Sequence, residues 1–361
     1  MDHHQLDDLH LDPECNCGSE TEFDPDWGND NHVVSWEERV VEALHRVRLH
    51  QIREHDPVRG IRVRTRFCRF NVAYFDFDKE STASRGPPIL SLTSRDRINL
   101  ADSINIVSLE ILESDVGYPI SVFGTVLVRD QVDYKCIYLF KRSEDNPQLI
   151  TSPEDTLTLT DPCRGLAVTD GMFFEINLKV KRDDSGHTDF SKGVIRRAVF
   201  VSGKSQLMTR LLPSWHSTVQ LAYTPVPSAV AAYLAINILE GPRDFFTGEV
   251  VAWTSGNSKN RIILYDSKIA GTKTEIGSGG SVALTRSLVA VPVKEELVLR
   301  ICVREGGHEV ACFEPTLDHF DDDRICCQGS YELQVKVEWT GILYRTMEGV
   351  FRHVGHTQLL L

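Results

Sequence analysis

The chain of 361 residues is longer than a typical single domain, which predicts two lobes with additional terminal segments. An apolar fraction of 41% and a charged fraction of 25% are ordinary globular values and allow a sizeable core. No apolar run approaches the roughly 20 residues that a membrane helix needs, so no membrane partner is expected. The first residues lack the basic and apolar regions of a secretory signal, which predicts a cytoplasmic or nuclear location.

The negative charge of the chain is concentrated at its start. Residues 1–38 contain 12 acidic residues and no Lys or Arg, whereas the rest of the chain holds 39 basic and 40 acidic residues. Residues 1–33 are acidic and poor in apolar residues, which predicts a disordered tail. The remaining body is almost neutral, so nucleic acid is not expected as a partner, and a protein partner is left open.

The nine cysteines do not resemble a disulfide framework. Their number is odd, and no two of them are separated by two residues. Most of them are therefore predicted to be small buried apolar residues.

The first regular element is predicted to be a helix over residues 34–56. Ser35 and Glu38 have the spacing of a capping box, and Asp56-Pro57 marks the end. Apolar residues follow at helical spacing, namely Trp36, Val40, Leu44 and Val47.

The rest of the chain is dominated by strand patterns. Residues 57–103 are predicted to hold an Arg-rich strand over 61–77 and a linker, residues 104–216 a first β lobe, residues 217–341 a second, and residues 342–361 a C-terminal extension. The polar stretch 182–192 and the mixed segment after it are interpreted as the separator between the lobes. The predicted fold is mainly β and sandwich-like, with one short N-terminal helix.

The two β blocks resemble each other, which predicts an internal repeat. Gly124 aligns with Gly248, and apolar residues of equal parity align in the longest strands: Ile176, Leu178 and Val180 with Leu299, Ile301 and Val303. The alternative is that alternating strands of any two β lobes look alike.

Several runs resemble a known plant family. Residues 70–78, 118–150, 157–168 and 173–181, with the later run VALTRSLVAVPV, are similar to the domain-of-unknown-function 6598 family of cereal grasses. Some members of that family carry a ribosome-inactivating N-glycosidase domain. The resemblance implies a stress or defence setting and supplies no mechanism. Glu42 and Arg46 have the wrong spacing for the N-glycosidase motif, so no depurination is expected.

One charge pattern stands out as a candidate site. Arg62, Arg64 and Arg66 lie on one face of the predicted strand, with Arg69 beyond. The guanidinium fork binds two oxygens of a phosphate or carboxylate, so these four residues are a candidate anion site. The alternative is a charged edge strand that resists pairing with other chains.

These patterns favour a non-enzymatic binding or scaffold protein. No catalytic residues, metal ligands or cofactor motif are recognised, and no cofactor is expected. An accessory domain of N-glycosidase-type proteins, an uncharacterised enzyme, and a binder of anionic ligands or nucleic acid through the Arg-rich strand stay open as alternatives. A further hypothesis is that the acidic tail masks the Arg-rich strand.

Overall fold

The computed structural model describes residues 34–361 except 154, 169–170, 183–185, 199–205, 242–243, 270 and 345–348. The predicted disordered tail, residues 1–33, lies outside the described residues. The chain is mainly β, as predicted. It divides into two compact units: the smaller holds the described residues 34–51, 67–75 and 349–361, and the larger holds residues 52–66 and 76–344.

The larger unit begins with a two-stranded ribbon of β1 (Arg53–Asp56) and β2 (Ile61–Arg64). The strands are antiparallel, and the Asp56 carboxylate closes their turn by accepting hydrogen bonds from the backbone N–H groups of Val58 and Arg59. The strand predicted over 61–77 therefore ends at Arg64, because its partner strand β1 begins at Arg53, the residue opposite Arg64. A short helix, Ser94–Ile98, comes next.

The first lobe is a sandwich of two sheets. Its strands are β3 (Ser103–Ser114), β4 (Ile120–Arg129), β5 (Ile137–Arg142), β6 (Gln148–Ile150), β7 (Gly171–Arg182), β8 (Gly186–Ala198), β9 (Met208–Ser214) and β10 (Ser217–Val226). One sheet has the order β5-β4-β7-β8 with β6 beside β4, and the other has the order β3-β10-β9. A single apolar cluster, including Ile111, Val126, Ile176 and Leu178, fills the space between them.

The structure moves the predicted boundary between the lobes. The separator predicted between them contains β8 and β9, and β10 lies beyond the boundary drawn at residue 216. Yet β10 pairs with β9 from Ser217↔Ser214 onward and with β3 on its other side. The polar residues of β8 hid its strand pattern, since an outer strand is apolar on one face only.

The second lobe has a similar order of its main strands, with β14 and β17 in addition. Its strands are β11 (Ala229–Glu240), β12 (Gly248–Thr254), β13 (Asn257–Asp266), β14 (Leu288–Pro292), β15 (Leu297–Glu305), β16 (His308–Phe313), β17 (Thr316–Leu317), β18 (Asp323–Gln328) and β19 (Tyr331–Gly341). One sheet has the order β13-β12-β15-β16 with β17 beside β15, and the other has the order β14-β11-β19-β18. Its core includes Val250, Leu299, Ile301 and Val335.

The two glycines aligned from the sequence occupy matching places. Gly124 lies opposite Leu178, and Gly248 lies opposite Val303. At each glycine φ is positive, and a Cβ atom would lie 2.2 Å from the carbonyl oxygen of Asn177 or 2.0 Å from that of Cys302. Any side chain would collide with the neighbouring backbone, which accounts for glycine at both places.

The strand pairing corrects the sequence alignment by two residues. Relative to the glycines, Ile176 corresponds to Ile301 and Leu178 to Val303, so Leu178 does not match Ile301 as the alignment had it. The parity of the alignment is unaffected, and all the residues aligned there are buried. A shift of two residues keeps every side chain on its own face, so the pattern alone cannot reveal it.

Polar side chains join the two lobes. The buried amide of Asn105 in β3 donates to the carbonyl of Ala290 (2.7 Å) and accepts from its N–H (2.8 Å), in the manner of a backbone group. Arg286, also buried, donates to the carbonyl of Ile106 at 2.8 Å. Small side chains, including Ala229, Ala231 and Ala290, pack at this junction.

The smaller unit combines a helix with a hairpin. The helix Trp36–Gln51 begins with the predicted capping box, in which Ser35 and Glu38 exchange hydrogen bonds of 2.8 and 3.2 Å. Strands β20 (Phe351–Val354) and β21 (Thr357–Leu360) pair with each other, and Val41, Ala73, Val354 and Leu359 form its core. The helix ends before residue 56, because Arg53–Asp56 is β1, and its predicted apolar face of Trp36, Val40, Leu44 and Val47 is exposed.

Candidate anion-binding site

The four arginines that the sequence grouped together belong to different parts of the structure. Arg62 and Arg64 lie on β2, whereas Arg66 follows the end of that strand. Arg69 belongs to the smaller unit, where its guanidinium carbon lies 5.4 Å from the centre of the Phe70 ring. The proposal of one anion site that includes all four residues stays a prediction.

Arg66 is engaged within the larger unit. Its Nη2 donates to the Asp78 carboxylate at 2.8 Å, and its Nη1 donates to the carbonyl of Phe77 at 3.1 Å. Its Nε lies 4.0 Å from the buried carboxylate of Glu175. These acceptors already compensate its charge, so Arg66 has less capacity for an external anion than the ribbon arginines.

The ribbon instead has a cationic face formed by both strands. Arg53 lies directly opposite Arg64, and His55 lies directly opposite Arg62. Residues opposite each other in an antiparallel pair share a face, so these four side chains line one side of the ribbon. We call them the cationic ribbon face. None of the four has an ion pair with the residues that the structure describes.

One atom of this face has an unfilled hydrogen-bonding capacity. The Nη1 of Arg64 is buried and has no hydrogen-bond partner within the described residues. Buried donors are nearly always paired, and leaving one unpaired costs about 1–3 kcal/mol. An acceptor from outside the described chain would satisfy it.

The opposite face attaches the ribbon to the first lobe. Glu54 accepts from Lys192 of β8 at 2.8 Å and from the Thr65 hydroxyl at 3.0 Å. Burial lowers the pKa of Lys192, but its hydrogen bonds to Asp189 and Glu54 outweigh burial and leave the pKa above its usual value. The Asp56 carboxylate accepts from the backbone N–H of Trp215 at 2.9 Å. Acidic side chains therefore hold one face of the ribbon, and the cationic face is turned away from them.

Sequence reasoning missed Arg53 and His55. Both lie in the segment predicted as the end of the helix, so nothing placed them beside Arg62 and Arg64. The signal that could have found them is the turn sequence Asp56-Pro57-Val58-Arg59-Gly60 between two short polar runs, which is typical of a hairpin.

The family comparison agrees with the resemblance seen in the sequence. The model of the family described as domain of unknown function (DUF6598) matches residues 103–337, which span both lobes. The chain belongs to this family. The cationic ribbon face precedes the matched region, so family membership says nothing about it. No curated protein matches the chain.

Two solved structures show a weak likeness to the chain. Human GIVD cytosolic phospholipase A2 is 7% identical, with a TM-score of 0.21, over 67% of this chain and 30% of that one. A two-domain structure of extended-synaptotagmin 2 is 6% identical, with a TM-score of 0.22, over 75% of this chain and 98% of that one. The chain thus spans about a third of the phospholipase, and TM-scores this low support no conclusion.

No helix among the residues that the structure describes is both long enough and apolar enough to cross a bilayer.

Proposed function

We propose that this protein is a non-catalytic binding protein that holds a phosphate- or sulfate-bearing ligand on the cationic ribbon face. The observation that carries the proposal is the buried, unpartnered Nη1 of Arg64 beside three further basic side chains. Guanidinium groups bind phosphate-like anions through two oxygens at once, with hydrogen bonds about twice as strong as neutral ones.

The cationic ribbon face lowers the stability of the ribbon unless an anion is bound. Like charges directly opposite each other in a sheet are destabilising, and the ribbon places Arg53 opposite Arg64. A bound anion would remove this repulsion and supply the missing acceptor for Arg64. The ribbon is attached to β8 through Glu54 and Lys192, so the face is already positioned before a ligand arrives.

The competing explanation is that these charges protect a short two-stranded element from pairing with other chains. The two explanations predict different results when Arg62 and Arg64 are both replaced by Gln. Loss of a binding site weakens ligand binding and leaves the protein monodisperse. Loss of edge protection causes self-association and leaves ligand binding unchanged.

The test compares elution of the full chain from a heparin column at low salt. The Arg62→Gln/Arg64→Gln variant should elute at clearly lower salt than the unsubstituted protein. The matched control is Arg46→Gln/Arg324→Gln, which removes the same charge from two exposed surface ion pairs. If both variants elute alike, only net charge matters and the proposed site is wrong.

A second proposal concerns the acidic tail. Residues 39–69 contain nine Arg and three acidic residues, and they follow directly on the 12 acidic residues of positions 1–38. A tail tethered next to a cationic face competes with external anions at high effective concentration, and the contact weakens with salt. Deleting residues 1–33 should raise the salt needed for elution from heparin. Equal elution with and without the tail would refute masking.

We also propose that the two lobes are an internal repeat. The similar order of the main strands in the two lobes and the paired glycines support duplication of one β lobe. A protein partner or scaffold role, a cytoplasmic or nuclear location, and the plant stress or defence setting implied by the family stay expectations.

A further inference from the structure

Two cysteines face each other on the second lobe. Cys302 in β15 lies directly opposite Cys312 in β16, and their sulfur atoms are 2.7 Å apart. Of the seven cysteines that the structure describes, only Cys68, Cys136 and Cys302 are buried, which corrects the sequence-based expectation that most are. Cys312 is half-buried, so this pair joins one sheltered and one accessible sulfur.

Charged side chains surround the pair asymmetrically. The Nε of Arg300 donates to the sulfur of Cys312 at 3.2 Å. A carboxylate oxygen of Glu309 lies within 4.8 Å of both sulfur atoms. Reactive cysteines are typically partly exposed and beside a cation, and Cys312 has both properties.

The Cys302 thiol keeps its proton at neutral pH. Burial, followed by its contacts with Cys312 and Glu309, raises the pKa of the Cys302 thiol to about 12. At neutral pH it therefore carries its proton, and it attacks as a nucleophile only while a base removes that proton. Glu309 is a carboxylate within reach for that transfer.

We propose that Cys302 and Cys312 form a reversible oxidation site, at which a peroxide converts the two thiols into a disulfide between β15 and β16. Cys312 loses its proton to solvent, its thiolate attacks one peroxide oxygen, the O–O bond breaks, and the leaving hydroxide takes up a proton from solvent in place of the one that Cys312 released, which gives water. Cys302 then gives its proton to Glu309 while its sulfur attacks the sulfenic acid of Cys312. The hydroxide displaced there takes that proton and leaves as a second water. Two thiols lose two electrons and one hydrogen peroxide gains them.

The geometry favours this reaction over a metal site. A disulfide bond is about 2.05 Å long, so the two sulfurs need to approach by less than 1 Å. A zinc ion bound to both, at roughly 2.3 Å from each sulfur, requires them to move apart instead. The hydrogen bond from Arg300 also places a positive charge where a metal cation would have to bind.

The experiment uses the reduced full chain and hydrogen peroxide. After oxidation, free thiols are alkylated and the chain is cut with trypsin, which separates Cys302 (peptide 301–304) from Cys312 (peptide 305–324). We expect a disulfide-linked pair of these two peptides that dithiothreitol separates. In Cys302→Ser, oxidation should stop at a sulfenic acid on Cys312, which dimedone traps.

Control variants test whether the oxidation is specific to Cys302 and Cys312. Cys327→Ser removes an exposed thiol of β18 and should leave the linked peptides unchanged. Arg300→Gln should slow disulfide formation several-fold, because it removes the cation that contacts the attacking sulfur, whereas Arg300→Lys should retain part of the rate. The proposal is wrong if both peptides stay alkylated while the exposed Cys163 or Cys327 is oxidised, or if the purified protein holds one zinc per chain on these thiols.

Discussion

The two lobes share a strand order but differ in what lies on corresponding positions of their sheets. Counting from the paired glycines, Arg129 of the first lobe corresponds to Trp253 of the second, and Glu175 corresponds to Arg300. Arg129 and Glu175 form a buried ion pair, whereas the Arg300 side chain is 35% exposed. Equivalent places on the same framework therefore hold a sealed ion pair in one lobe and an accessible cation in the other.

The difference arises from what covers each sheet. In the first lobe, the carbonyl groups of Phe77 and Tyr134 accept from Arg129 at 2.6 and 2.9 Å, so the segment before the lobe and a loop within it close over the pair. In the second lobe, Arg300 contacts Cys312 and lies 3.6 Å from Glu309. The strand order fixes where a side chain stands, and the covering segments decide whether it is structural or available for chemistry.

The largest expected loss of stability distinguishes the covered position in the first lobe from the exposed one in the second. Arg129→Met removes the cation that contacts the buried Glu175 carboxylate and leaves Arg66 4.0 Å away, and breaking a buried ion pair costs about 3–5 kcal/mol. The matched change in the second lobe, Arg300→Met, removes a partly exposed cation and should cost at most about 1 kcal/mol. Urea unfolding followed by circular dichroism measures both. Similar costs for the two variants would mean that covering does not distinguish the lobes.

A second variant separates the charge from the space it occupies. Replacing both partners, as Arg129→Met/Glu175→Leu, removes the uncompensated carboxylate and should recover a large part of the stability lost in Arg129→Met. If the double variant is less stable than the single one, the site tolerates no apolar packing and the cost of Arg129→Met is not electrostatic.

The next effect tests the equivalence of the lobes directly. Ile176 and Ile301 occupy matching places and are both fully buried. Replacing either by Ala should cost about 2–5 kcal/mol through lost burial and the cavity left behind. Similar losses for the two variants in urea unfolding support matched cores. A loss confined to one variant would break the comparison, because the lobes would then share strand order but not packing.

The sequence predicted what depends on local pattern. The mainly β fold, the capping box at Ser35 and the glycine pairing all follow from residues within one or two elements. The pairing register did not follow, since a two-residue shift leaves the pattern unchanged. Arg53 and His55 were also missed, because their place in the candidate site depends on a short ribbon strand that the helical pattern of the preceding residues concealed.

The smallest expected effect concerns the ribbon, which Asp56 attaches to the first lobe. Asp56 accepts hydrogen bonds from Val58, Arg59 and Trp215, so its carboxylate fixes the ribbon turn to the loop between β9 and β10. Burial alone would raise the pKa of Asp56, but the hydrogen bonds from Trp215 and Arg59 outweigh it and lower the pKa below its usual value. Its charged form therefore stabilises the folded state.

The sign of the pH dependence follows from that lowered pKa. The stabilisation by Asp56 is fully present above the pKa of an unfolded Asp, near 3.9, and is lost as the pH falls through the lower pKa of the folded state. Asp56→Asn should cost about 1–3 kcal/mol at neutral pH, since an amide accepts fewer of these hydrogen bonds. This cost should shrink as the solution is acidified below that value.

Asp145→Asn, an exposed change of equal charge, is the control in urea unfolding across the pH range. A cost for Asp56→Asn that does not change with pH would show that the carboxylate acts through its shape and not its charge. The heparin test should detect the same loss, because a ribbon released from Trp215 no longer holds Arg62 and Arg64 in place.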